Sequence, residues 1–192
     1  DNIKNQFGLP FVVALNRFPT DTDAELSLLL SRCKEEGVGI VLTEAWGKGG
    51  EGTRELATEV ARLCEQESKF QFTYEDSTTV MEKLNAIVTK IYRGAGVELD
   101  ANAKKQLAQI EAMGMGNLPV CMAKTQYSFS DDAKLLGSPT GFTVMVRNLR
   151  VSAGAGFIVA LTGDIMTMPG LPKVPSAERI DVDAQGKISG LF

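Results

Sequence analysis

Phe11-Val12-Val13-Ala14-Leu15-Asn16-Arg17-Phe18-Pro19-Thr20-Asp21 changes abruptly from apolar to polar. Its first five residues, entered through Pro10, form a fully apolar run and read as a buried strand of the parallel kind. Asn16 to Asp21 then reads as a loop broken by Pro19. Thr22 and Glu25 have capping-box spacing, so a helix is predicted to start there. Leu26, Leu29, Leu30 and Cys33 supply its expected apolar stripe, and Gly37 ends it. Val38 to Leu42 reads as a second strand. A glycine-rich loop from Gly47 to Gly52 leads into another helix, with Leu56, Val60 and Leu63 on one face. Strand, helix, strand, helix in this order predicts a right-handed parallel unit.

Outward from this unit, Val80, Leu84, Ile87, Val88 and Ile91 predict a helix from about Ser77 to Tyr92. Asp100 as N-cap and Gly114 as terminator bound another, with Leu107 and Ile110 inside. The chain then turns strand-rich. Val120–Ala123, Thr143–Val146, a short piece from Val151 and Phe157–Leu161 are separated by turn clusters at Ser138–Gly141 and Ser152–Gly156. Ile180–Asp183 and Gly186–Ile188 predict a hairpin with a Gln-Gly turn. The fold class is therefore α/β: a mixed sheet with flanking helices plus a smaller antiparallel C-terminal lobe. The domains are expected at residues 1–172 and 173–192.

Composition narrows the function. The chain has 192 residues, 44% of them hydrophobic, and a formal charge of −4. Such a chain can bury a sizeable core. Mild acidity argues against nucleic-acid or membrane-surface binding, which needs a basic patch. No apolar run approaches the roughly 20 residues that span a bilayer. Asp1 to Asn5 has no signal-peptide form and no initiator Met, so the chain is expected to start inside a longer protein. Cys33, Cys64 and Cys121 are widely spaced and predict buried, reduced thiols in a cytoplasmic protein. The sequence has no His, which removes His-dependent triads and disfavours a transition-metal site.

Chemistry is expected at strand ends, where open α/β sheets hold ligands. Asn16 either touches a nucleotide base or caps its own loop. Phe18 and Trp46 lie in loops directly after the two predicted parallel strands, so both rings reach one sheet edge. There they either sandwich a flat heterocycle or close over the core. Gly47–Gly52 is not a phosphate loop, because Lys48 is followed by Gly49 rather than Ser or Thr. It reads as a hinge beside Trp46. Lys124, in the polar stretch Lys124–Ser128, either neutralises an anion or sits in a solvated loop. Asp164 alone is not a cation site, and Met166 and Met168 read as packing.

Asn16-Arg17-Phe18-Pro19-Thr20-Asp21-Thr22, Glu44-Ala45-Trp46-Gly47-Lys48-Gly49-Gly50-Glu51-Gly52 and Leu118-Pro119-Val120-Cys121-Met122-Ala123-Lys124-Thr125-Gln126-Tyr127-Ser128 resemble formate–tetrahydrofolate ligases. So do Ser152–Phe157, Thr162–Pro172 and the ending Gly190-Leu191-Phe192. The likeness covers essentially the whole chain. It implies an ATP-dependent ligase that makes 10-formyltetrahydrofolate through formyl phosphate, using ATP with magnesium, helped by a monovalent cation and homo-oligomeric at full length. It implies that Phe18 and Trp46 stack on the pterin, with Leu42, Pro19 and Thr20 beside them. The family's phosphate-binding loop and its attendant Arg and His have no match here. The resemblance therefore implies a C-terminal portion with no catalytic and no metal-binding residue, inactive alone and partnered by an N-terminal domain of the same enzyme. The alternative is a stand-alone, non-catalytic binding or interaction module.

Overall fold

A computed structural model describes residues 1–163, 165 and 173–190. Strands β1 (Val13–Asn16) and β2 (Ile40–Thr43) flank helix α1 (Asp23–Glu35). They pair in parallel, with Val13 opposite Ile40 and Asn16 opposite Thr43. The Thr22/Glu25 capping box is present: the Glu25 N–H donates to Thr22 Oγ1 at 3.3 Å, and the Thr22 N–H to Glu25 Oε2 at 2.9 Å. Trp46 lies on a one-turn helix, α2 (Ala45–Lys48), followed by a 3₁₀ turn (Gly49–Thr53) and α3 (Arg54–Cys64).

The first unit buries less than its pattern suggests. Of residues 1–79 only Leu26 and Thr43 are buried. Leu29 and Leu30, expected in the apolar stripe of α1, are 46% and 40% exposed. A two-stranded parallel sheet is too narrow to cover a helix face wider than one row of side chains.

The main core lies further along the chain. Helix α4 (Val80–Ala86) runs into a π-turn (Ile87–Ile91) and is followed by β3 (Gly96–Leu99) and α5 (Ala101–Ala112). Then come β4 (Val120–Ala123), β5 (Thr143–Val146), β6 (Asn148–Ser152) and β7 (Phe157–Leu161). β3 pairs with β5 in parallel, and β4-β7-β6 forms a mixed sheet in which only β6 is antiparallel. Val80, Leu84, Leu99, Ile110, Val146 and Ile158 pack into one cluster between helices and strands. Strand β3 has no counterpart in the sequence reading.

Polar clips fix the helices on this core. Asp100 caps α5 through the Ala103 N–H at 2.8 Å. Gln106 Oε1 accepts from the Leu149 N–H at 2.7 Å, which ties α5 to β6. Lys83 is fully buried, and its ammonium donates to the Gly116 and Leu118 carbonyls at 3.1 and 3.0 Å. Burial pushes its pKa down, opposed by Asp76.

The C-terminal hairpin forms as expected: β8 (Asp181–Val182) pairs antiparallel with β9 (Ile188–Ser189), across a turn whose Gly186 takes φ +78°. The sequence-derived boundary at 172/173 and the readings of Asp164, Met166 and Met168 involve positions outside the described residues. The cysteine reading needs correction. Cys33 is half-buried, but Cys64 and Cys121 are exposed. Cys121 lies on the edge strand β4, and alternate side chains of a strand face away from the core.

Candidate functional site: an aromatic slot at the carboxyl ends of β1 and β2

The register of β1 and β2 builds the site. Asn16 and Thr43 are partners at the ends of the two strands, and the Arg17 N–H donates to the Thr43 carbonyl at 2.9 Å. Both exit loops therefore leave the same edge side by side. Phe18 is two residues past the first strand end and Trp46 three past the second.

Local chemistry fixes each ring. On the Phe18 side, the Phe18 N–H donates to Asp21 Oδ2 at 2.8 Å, and the Asp21 N–H donates back to the Phe18 carbonyl at 3.0 Å. This reciprocal pair closes a four-residue turn with Pro19 in its first central position, where a fixed φ is favourable. Phe18, preceding Pro19, is biased toward extended backbone and a protruding side chain. It is 44% exposed.

On the Trp46 side, the Gly47 and Lys48 N–H groups both donate to the Glu44 carbonyl, at 3.2 and 2.9 Å. The Lys48 ammonium donates to Glu44 Oε2 across the same turn. The Glu44 N–H donates to the Gly52 carbonyl at 3.0 Å. Gly52 is required here: a Cβ at that position would meet the Glu44 carbonyl oxygen at 2.5 Å. The glycine-rich segment is thus a turn folded back on Glu44, not the open hinge suggested by its composition. Trp46 stands out from it, 72% exposed.

Arg17, Phe18, Pro19, Glu44, Trp46 and Gly47 line a slot of about 130 Å³. That volume suits one flat ring system rather than a whole drug-sized ligand, whose pockets run from roughly 300 Å³. Of the residues singled out from sequence, Phe18, Pro19 and Trp46 come together here. Leu42 is half-buried within β2, Asn16 is the exposed last residue of β1 and Thr20 is at the exposed tip of the turn; none of the three lines the slot. Sequence reasoning missed Arg17 and Glu44. Each is the first residue beyond its strand, so the strand register makes them neighbours, a signal that needs the pairing to be known.

The slot carries charge of both signs. The Lys48 hydrogen bond, more than the attraction of Lys48 and Arg17, holds the Glu44 carboxyl below the usual carboxylate range. Arg17 contacts Asp23 at 3.5 Å. Lys124 belongs elsewhere. Its ammonium donates to the Thr125 carbonyl at 2.8 Å and to that of Ser128, and lies 5.2 Å from the centre of the Tyr92 ring. It clamps its own loop. A larger cavity of about 670 Å³, bounded by Phe7, Phe72, Tyr74, Asp76 and Pro119 among others, is separate from the slot and shares no residue with it.

The two exposed aromatics stand at the carboxyl edge of a parallel strand pair, the edge at which open α/β sheets hold their ligands. The family model for formate–tetrahydrofolate ligase matches residues 1–192, and the chain belongs to that family. Membership implies formate–tetrahydrofolate ligase activity in the full-length protein, with tetrahydrofolate as substrate and a place in one-carbon metabolism. No helix among the described residues is long and apolar enough to cross a membrane.

The glycine-rich turn offers no phosphate cradle for the ATP that the family resemblance implies. The Lys48 ammonium is taken by Glu44, and the space at Gly52 that a phosphate cradle needs is filled by the Glu44 backbone. Among the described residues no group of three or more His, Cys, Asp or Glu could hold a metal ion.

Proposed function

We propose that this chain is the folate platform of a formate–tetrahydrofolate ligase, gripping the pterin ring between Phe18 and Trp46. In the full enzyme ATP phosphorylates formate, and a tetrahydrofolate nitrogen displaces phosphate from formyl phosphate to give 10-formyltetrahydrofolate, ADP and phosphate. The nucleotide, magnesium and a monovalent cation are held by a separate N-terminal domain carrying the phosphate loop. This chain positions the amine-bearing partner, which is a contribution of proximity and orientation.

The observation that carries the reading is the placement of two exposed aromatic rings on hydrogen-bonded turns at register-matched strand ends. A core-closing pair would be buried, whereas these rings keep 44% and 72% of their surface in solvent. Exposed aromatics held rigidly are more characteristic of binding than of packing.

The test uses the single tryptophan of the chain, Trp46. Titration with tetrahydrofolate should quench its fluorescence saturably, while ATP leaves it unchanged and the chain alone shows no formate-dependent ATP turnover. Robust turnover would sink the division of labour, and absence of quenching would sink the platform.

A further inference from the structure

Stacking alone leaves a ligand free to rotate in its plane, since the faces of a flat ring offer no directional donor or acceptor. Orientation must come from polar groups at the ring edge. The slot supplies two such groups, one of each sign, and neither is used by the stacking reading.

Glu44 and Arg17 occupy equivalent positions, each the first residue past its strand, and both line the slot between Phe18 and Trp46. Among the described residues Arg17 pairs with Asp23 and Glu44 with Lys48, and not with each other. The two charges therefore sit at the slot without closing it. The Lys48 contact engages Glu44 Oε2 only, which leaves Oε1 as an acceptor. Arg17 makes one long contact, so most of its five N–H donors are uncommitted. The Glu44 backbone is fixed by the Gly52 contact and the α2 turn, so the carboxylate starts from a rigid base. Its pairing with Lys48 keeps it ionised and hence acceptor-only at neutral pH.

We propose that Glu44 and Arg17 read the edge of the stacked ring and set its orientation. The Glu44 carboxylate accepts the adjacent N–H pair of a 2-amino-4-oxo pyrimidine ring, and the Arg17 guanidinium donates to the 4-oxo oxygen. The inference rests on the slot holding a pterin, and it deepens that reading by assigning the groups that distinguish pterin from other flat heterocycles. A carboxylate facing two neighbouring N–H groups makes charge-assisted hydrogen bonds, roughly twice as strong as neutral ones. A ligand lacking the 2-amino group leaves the carboxylate poorly satisfied, and one with an amino group at position 4 sets donor against donor at Arg17.

The experiment titrates the full chain with pterin, 4-oxopteridine (which lacks the 2-amino group) and 2,4-diaminopteridine, following Trp46 fluorescence. Wild type should prefer pterin to either analogue by about tenfold or more. Glu44→Gln should weaken pterin by about tenfold and 4-oxopteridine, which keeps only the ring N–H of the pair, by clearly less. Arg17→Met should narrow the gap between pterin and 2,4-diaminopteridine. Quenching of wild type by all three ligands with equal affinity would overturn the edge-reading proposal while leaving the platform standing. A uniform loss for every ligand in Glu44→Gln would also overturn it, because Glu44 would then only hold the Trp46 turn. No quenching by any ligand in wild type would overturn the platform and the proposal together.

Discussion

Truncating Phe18 separates a slot wall from a core residue. A fully buried Phe costs about 3–5 kcal/mol on replacement by Ala, through lost burial and the cavity left behind. Phe18 keeps 44% of its surface in solvent, so a little over half of that burial is at stake. The vacated space opens into the slot and to water, so no sealed void forms. The expected stability loss for Phe18→Ala is therefore about 1–2 kcal/mol. Phe18→Leu should recover most of it, since Leu restores apolar volume. Ligand affinity should behave differently. Stacking adds about 0.5–1.5 kcal/mol beyond burial, and losing an aromatic anchor with its contact area costs about 1–3 kcal/mol, roughly 5- to 150-fold in Kd. Leu should not restore that affinity, because it has no flat π-face. Urea unfolding of wild type, Phe18→Ala and Phe18→Leu gives the first quantity, and tetrahydrofolate titration of the same proteins by Trp46 fluorescence gives the second. A loss of 3–5 kcal/mol for Ala, rescued by Leu and accompanied by unchanged affinity, would show that Phe18 is only a packing residue.

The other side of the slot should respond in parallel. Trp46→Ala, at a position 72% exposed, should change stability by less than about 1 kcal/mol yet weaken tetrahydrofolate by about 1–3 kcal/mol, measured calorimetrically because the variant has no tryptophan; a stability loss without an affinity loss would refute it. Gly52→Ala should cost about 1–3 kcal/mol and shift the Trp46 emission maximum, because its Cβ would sit 2.5 Å from the Glu44 carbonyl oxygen and the backbone must move. An unchanged spectrum and melting curve would mean that the turn is not closed on Glu44. Lys83→Met should cost about 1–3 kcal/mol by removing the donors to the Gly116 and Leu118 carbonyls. Because burial lowers the Lys83 pKa in the folded state, the unfolded chain holds the proton to higher pH, so the contribution of Lys83 to stability should rise as pH climbs from the folded value toward about 10.4. A wild-type minus Met difference that is flat or falling over that window would reverse the assignment.

The elements readable from sequence are those specified locally. Thr22 and Asp100 announce helix starts because their side chains satisfy N–H groups within three residues. The apolar runs at Phe11–Leu15 and Val38–Leu42 overlap β1 and β2, each strand ending one residue beyond its run, because short hydrophobic stretches suit strands flanked by helices. Elements specified by distant contacts were not readable. β3 is a four-residue strand, Gly-Val-Glu-Leu, behind a Gly-Ala pair; its partner β5 lies 47 residues on, and an Asn85 side chain accepts its Val97 N–H at 3.0 Å. Leu29 and Leu30 carry helical periodicity, yet periodicity states only which residues share a face, not whether a partner covers it.

The same distinction governs the slot. Phe18 and Trp46 are separated by a helix and a strand, and nothing in either segment alone says that they meet. Their convergence follows from one inference, that the two strands are parallel neighbours, and the observed register supplies it. Once that register is known, Arg17 and Glu44 must fall side by side as well, because each is the next residue along its strand. Four residues from two short motifs then line one slot, two aromatic rings beside two opposite charges. The one-turn helix under Trp46 is the part that sequence opposes, since Gly47, Gly49 and Gly50 disfavour helical structure. What holds it is the Glu44–Lys48 pair and the seat of Gly52 against Glu44. Within the stretch that looks like a hinge in the sequence, Gly52 allows the close backbone approach that seats the turn on Glu44.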